Sequence, residues 1–183
     1  MPGKQTHRSD PRILNRRTLQ RDHRRLAELL RPGMSVLDIG CGTGAITADI
    51  ARAIGPNGRV VGLDRDESLL VIARGDHVLP NLRFVNGDVL NFAFDESFDI
   101  VTAARVLQWI NPPQLAIARI VQAATPGGKI VALDYNHNNN AWEPDPPTEF
   151  VRFYKAFLEW RSANGWNNRM ADRRQLKLPA NDN

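Results

Sequence analysis

Apolar residues fall in short runs separated by breaks rich in glycine, proline and asparagine, and the runs alternate between two periods. Val36-Leu37-Asp38-Ile39, Arg59 to Asp64, Leu82 to Val85, Phe98 to Ala103 and Lys129 to Tyr135 are compact and rich in aliphatic side chains. Blocks of this length predict strands buried on both faces. Between them, Ala45, Ile46, Ile50, Ala53 and Ile54 recur at helical spacing, as do Leu115, Ile117, Ala118, Ile120 and Val121. Asp66 suits the N-cap of a helix running through Arg74, and Pro112-Pro113 suits a helix start. Strands alternating with helices predict an α/β fold with a mostly parallel sheet and helices on both faces.

The flanks read differently. Met1 to Pro11 predicts no regular element, whereas Ile13, Leu19, Leu26, Leu29 and Leu30 predict one or two helices before Arg31-Pro32-Gly33. Asn136 to Pro147 predicts a long loop, a candidate lid or pocket wall. A helix is expected over 148–163, with Phe150, Tyr154, Phe157 and Leu158 on one face and Gly165 at its end. The organisation that follows is a basic leader and helical cap at 1–31, a core domain at 32–164 and a polar tail at 165–183, in which Leu176 and Leu178 are the strong aliphatics.

Composition narrows the classes. A chain of 183 residues with 42% hydrophobic content supports one domain with a full core. No apolar run reaches the length of a membrane span, and no secretory apolar segment opens the chain. The single Cys41 fits a reducing compartment, so a cytoplasmic location is expected. The net charge of +4 is uneven: residues 1–31 hold nine Lys/Arg against three Asp/Glu, which leaves the remainder at −2. A basic end can bind nucleic acid, but the acidic middle disfavours that reading. His7, His23, His77 and His137 are scattered, and no metal-ligand spacing appears.

The chemistry concentrates at Gly40-Cys41-Gly42-Thr43-Gly44. Here a strand meets a helix through a turn stripped of three Cβ atoms, the arrangement of a nucleotide-cofactor site. The glycine spacing alone also satisfies the dinucleotide pattern loosely. Asp38 separates the two, because a carboxylate at the mouth of the turn repels a pyrophosphate and suits a cation. S-adenosylmethionine carries a sulfonium and an α-amino group and no phosphate. Asp64 ends the second strand, 20 residues past Gly44, where an acid can accept ribose hydroxyls. Asp88 follows the third and can accept from an adenine amino group.

The runs LDIGCGTG (37–44), GLDRDESLL (62–70), NGDVLNFAF (86–94), FDIVTAARVLQW (98–109) and PGGKIVALDY (126–135) occur in one order. With them the chain resembles the class I S-adenosylmethionine-dependent methyltransferases that act on small molecules. The resemblance covers roughly residues 30–160. It implies a Rossmann-like sheet of order 3-2-1-4-5-7-6, and no sequence matching strands six and seven is found after Gly165. It also implies that Asp38, Gly40, Cys41, Gly42, Thr43, Gly44, Asp64, Arg65, Asp88, Val89 and Arg105 bind the cofactor. Gln108, Trp109, Trp142 and Tyr154 are expected to form the acceptor pocket, and Tyr135 or His137 to take a proton from the acceptor.

Asn111-Pro112-Pro113-Gln114 resembles the motif of amino-methylating nucleic-acid enzymes. It stands several residues too late after the fourth strand and lacks the final aromatic, so helix initiation is the better reading. The competing functions are a nucleic-acid methyltransferase, a cofactor-binding domain without catalysis, and a nicotinamide oxidoreductase, which Asp38 disfavours. Without strands six and seven, the strand at 129–135 would be an open edge and a site of self-association.

Overall fold

The computed structural model describes residues 9–171. Met1–Arg8 and the end of the tail, with Leu176 and Leu178, lie outside the described residues. The chain opens on three short helices, α1 (Pro11–Leu14), α2 (Leu19–Asp22) and α3 (Arg24–Leu29), where one or two were expected. Thr18 starts α2 by accepting from Arg21 N, and His23 separates α2 from α3. Asp10 caps α1, so a regular element already includes Pro11, the last position where none was expected.

The core is a five-stranded parallel sheet of order β3-β2-β1-β4-β5. The strands are β1 (Ser35–Ile39), β2 (Arg59–Asp64), β3 (Leu82–Asn86), β4 (Phe98–Ala104) and β5 (Ala124–Leu133). The helices α4 (Ala45–Ile54), α5 (Glu67–Asp76) and α6 (Pro113–Ala123) connect them, and α7 (Thr148–Ala163) follows β5.

Alternation within the strands divides the core. Val36, Val60 and Ile100 point to one face, where Ile50, Ala51 and Ile54 of α4 meet Leu19, Leu26 and Leu30 of the N-terminal segment. Leu37, Ile39, Val61, Leu63, Val101 and Ala103 point to the other, against Ala116, Ile120 and Ala123 of α6. Each large aliphatic so buried stabilises the fold by roughly 1.5–3 kcal/mol. Strands covered on both faces cannot alternate polar and apolar residues, which is why they were legible as continuous apolar blocks.

A buried polar link ties the N-terminal helices to the sheet. Thr102 Oγ1 lies 2.9 Å from Val131 O and 2.7 Å from His23 Nε2. A carbonyl can only accept, so the single hydroxyl proton goes to Val131 and His23 donates through Nε2. Burial, aided by the charge of Arg105, holds His23 neutral, its pKa lowered to about 4.

Two departures occur at the far edge. β5 begins at Ala124 rather than Lys129: Phe98 pairs with Ala124 and Ile100 with Lys129, so Thr125 to Gly128 bulge out between adjacent pairings. The segment after α7 is also more than a polar tail. Asn136 and Arg169 form an antiparallel bridge, His137 N donates to Asn168 O at 2.8 Å, and Met170 is buried in the core. Trp166 and Met170 supply the apolar anchorage that its overall polarity hides. Among the described residues nothing pairs with the outer edge of Lys129–Leu133, and Ile130 is 40% exposed there.

Candidate functional site

A cleft of about 750 Å³ opens at the carboxyl ends of β1, β2 and β4, the edge where open parallel sheets bind ligands. Its floor is the glycine turn. Gly40 (φ 70°), Gly42 (φ 57°) and Gly44 (φ 77°) all take left-handed backbone. At Gly44 a Cβ would also meet the Phe84 ring at 2.5 Å, so glycine there lets α4 approach β3 as well as turn. Gly44 shapes the turn as the N-cap of α4 and does not itself line the cleft.

The three acids converge on this turn. Asp38 is buried and accepts from Thr47 Oγ1 at 2.7 Å. Burial is the main reason its pKa is pushed up to about 7; the Thr47 bond opposes the shift and the nearby Asp64 adds to it. Asp64 accepts from Gly42 N at 2.7 Å and Asp66 N at 2.9 Å, locking the turn to the end of β2. Each oxygen keeps a lone pair for a ligand hydroxyl. Burial raises its pKa, against those two N–H groups. Asp88 accepts from Leu90 N at 3.0 Å and lines the cleft with Val89. Thr43 Oγ1 is buried at the cleft with no partner, a donor–acceptor left for a ligand. Cys41 and Arg65 line the same space, and burial raises the Cys41 thiol, which argues against a nucleophilic role.

A family profile described as a methyltransferase domain matches residues 30–167, more than half of the chain. The chain belongs to this methyltransferase-domain family. It is 33% identical over 138 residues to a trans-aconitate 2-methyltransferase of Deinococcus radiodurans, covering 74% of this chain and 52% of that protein. It is 34% identical over 109 residues to a demethylmenaquinone methyltransferase of Lactococcus lactis, covering 57% of this chain and 43% of the relative. The chain thus spans about half the length of these curated relatives. A solved S-adenosylmethionine-dependent methyltransferase from Aquifex aeolicus shares the fold, with TM-score 0.61 and 20% identity over 84% of this chain and 88% of that one.

In this methyltransferase domain the wall beyond β4 carries Arg105, Val106, Trp109, Ile110 and Asn111. Asn111, set aside with its prolines as a helix-start signal, reaches the cleft because the 3-10 turn Leu107–Trp109 folds the chain back. Trp166 and Asn164 complete this wall, and Trp109 packs edge-on against Trp166 with ring centroids 5.1 Å apart. Trp166 was absent from the sequence reading, since a tryptophan after a helix-ending glycine carries no motif.

The remaining acceptor-side residues do not line the cleft. Gln108 is buried and accepts from His137 Nε2 at 2.8 Å, while His137 Nδ1 lies 2.8 Å from Tyr154 Oη. Both ring nitrogens of His137 are thus engaged inside the protein, and burial and then Arg161 lower its pKa to about 4. Tyr135 Oη accepts from Arg105 Nε at 2.8 Å, which makes it a support for Arg105. Trp142 and Tyr154 pack edge-on, 5.1 Å apart, in an aromatic cluster with Phe150. The loop after β5 carries His137 and Trp142 towards α7, where His137 meets Tyr154 and Trp142 meets Phe150 and Tyr154. Among the described residues no group of three or more His, Cys, Asp or Glu is placed to hold a metal ion. No helix among them is long and apolar enough to cross a membrane.

Proposed function

We propose that the cleft binds S-adenosylmethionine and presents its methyl group to a small-molecule acceptor. The observation that carries this reading is a buried acid, Asp38, at the mouth of a left-handed glycine turn that Asp64 of the next strand clamps in place. The bound cofactor supplies an electrophilic methyl on a sulfonium, so the protein's task is mainly to orient two reactants. In this reading Asp64 accepts the ribose hydroxyls, Asp88 the adenine amino group, and Asp38 faces the cofactor's cationic end. Gly40 and Gly42 admit close backbone approach, the Thr43 hydroxyl gains a partner, and Cys41, Arg65 and Val89 wall the site. Trp109, with Ile110 and Trp166, bounds the space left for the acceptor, with Gln108 and the Trp142–Tyr154 cluster supporting it from behind.

Titration calorimetry with S-adenosylhomocysteine tests the assignment. The wild type is expected to bind it and not to bind NAD. A charged hydrogen bond is worth roughly 1.5–3 kcal/mol, so Asp64→Ala should weaken binding about 10- to 150-fold. Unchanged affinity in a variant that still melts cooperatively would remove Asp64 from the cofactor site.

The reading includes a second copy of the chain as partner, paired through the free edge of Lys129–Leu133. Ile130 is exposed on that edge, Lys129 is its one charge, and an edge of this kind templates strand addition. Light scattering is expected to give a mass above the monomer that Ile130→Lys returns to the monomer. A wild type that stays monomeric at high concentration refutes the pairing.

A further inference from the structure

The cleft is electrically divided. Asp38, Asp64 and Asp88 stand, with Arg65 as the one cation among the described residues there, on the side of β1, β2 and β3, whereas Arg17 and Arg105 stand on the side of β4 and the N-terminal helices. Among the described residues Arg105 alone, apart from glycines, has positive φ (62°), a conformation that must be held by its surroundings. It is held firmly: its N–H donates to Leu133 O, its Nε to Tyr135 Oη, and its Nη2 lies 3.8 Å from Asp22 Oδ1. Nη1 is buried and has no partner. Arg17 is half-buried in the same wall, and burial and then the charge of Arg105 both disfavour its protonated form. The nearby acid, Asp22, already receives Arg21 at 2.9 Å and Thr18 N at 2.9 Å. Arg105 therefore keeps one orphaned N–H group beside a carboxylate that lies 3.8 Å away and already receives two other donors, and Arg17 lines the same cleft, an arrangement that a bound anion relieves.

We infer that Arg17 and Arg105 form an anion subsite that holds a carboxylate or phosphate of the methyl acceptor. The inference rests on the cleft being the cofactor site, whose cationic groups face the acids on the opposite side. Guanidinium groups suit this task because their forked N–H groups match planar carboxylate and phosphate oxygens. The competing occupant is the single carboxylate of the cofactor itself, and two guanidinium groups exceed what it requires.

The full chain, saturated with S-adenosylhomocysteine, would be titrated by calorimetry with inorganic phosphate and, separately, with succinate at low salt. At least one anion is expected to bind, about tenfold or more weakly in Arg17→Gln and in Arg105→Gln. Arg17→Lys, which keeps the charge, should recover part of the loss. Melting curves identify any variant that fails to fold. If Arg17→Gln instead loses its affinity for S-adenosylhomocysteine and no anion binds the saturated wild type, the pair serves the cofactor's carboxylate and the inference is overturned. If S-adenosylhomocysteine does not bind the wild type, the cofactor reading falls by itself. Phosphate binding to the free chain that both variants abolish would then still uphold the anion subsite, and its absence would overturn that too.

Discussion

Arg161→Ala is expected to cost upwards of about 2 kcal/mol of folding stability, since each buried acceptor left without its donor costs roughly 1–3 kcal/mol. Arg161 is fully buried in the last turns of α7. Its Nε donates to Asn168 Oδ1 at 2.7 Å, and its Nη2 reaches Gln108 O at 3.4 Å and Asn167 O at 3.3 Å. The guanidinium carbon sits 4.3 Å from the centre of the Trp109 ring, with Phe157 and Trp166 beyond. One side chain thus joins α7, the turn after β4 and the segment returning to β5. Among the described residues no carboxylate pairs with it directly and Nη1 has no partner, so its own desolvation is only partly offset. Arg161→Met should therefore lose much less than Arg161→Ala, because it keeps the packed stem and removes the buried charge. Urea unfolding measures both. The Trp109–Trp166 wall of the cleft should loosen in the alanine variant, with a red shift of tryptophan emission. An alanine variant within about 1 kcal/mol of wild type would show that the ring stack holds α7 without the arginine.

The sheet and the acidic side of the cleft were legible in the sequence for one reason. Strands buried on both faces leave solid apolar blocks, and the chemistry lies at their carboxyl ends, so Asp38, Asp64 and Asp88 could be placed by counting from the blocks. The acceptor side was harder, because loop geometry decides it and periodicity does not. Tyr135 and His137 follow the fifth strand in sequence, yet the Asn168–Ala171 segment pairs with their backbone, His137 turns to Tyr154 of α7 and Tyr135 to Arg105. Trp166 reaches the cleft from a segment with no pattern, and Arg17 from the break between two short helices. Arg161 looked like one charge on an amphipathic helix. The clue available was its company, since Phe157 lies one turn before it and Trp160 beside it, and aromatic faces attract a guanidinium. Within the polar segment after Gly165, two apolar residues, Trp166 and Met170, suffice to pin its described part to the domain.

Asp38→Asn should make the free protein more stable at pH 8 and a poorer binder. The Asp38 carboxyl titrates at about 7 in the folded chain, against an ordinary value of 3.8, chiefly because it is buried. Between those values the folded state binds a proton that the unfolded state has released. Stability contributed by the neutral carboxyl is therefore complete below pH 3.8 and is lost as the pH rises towards 7, by about 4 kcal/mol in the limit. Asparagine has the same shape and stays neutral, and its amide oxygen can still accept from Thr47. The variant should match wild type near pH 4 and exceed it by several kcal/mol at pH 8 in urea unfolding. His23 and His137, held neutral, impose the opposite slope, but they are common to both chains and cancel in the difference. A difference that does not change with pH would mean that Asp38 titrates normally. Binding should move the other way: a cationic cofactor favours the ionised carboxyl, so the wild-type affinity for S-adenosylmethionine should rise as the pH passes 7, while the asparagine variant binds about tenfold more weakly at pH 8 and shows no such rise. The carboxylate that destabilises the empty fold is thus the group that gives the cleft its preference for a cation, and an asparagine at position 38 would gain stability by giving up that preference.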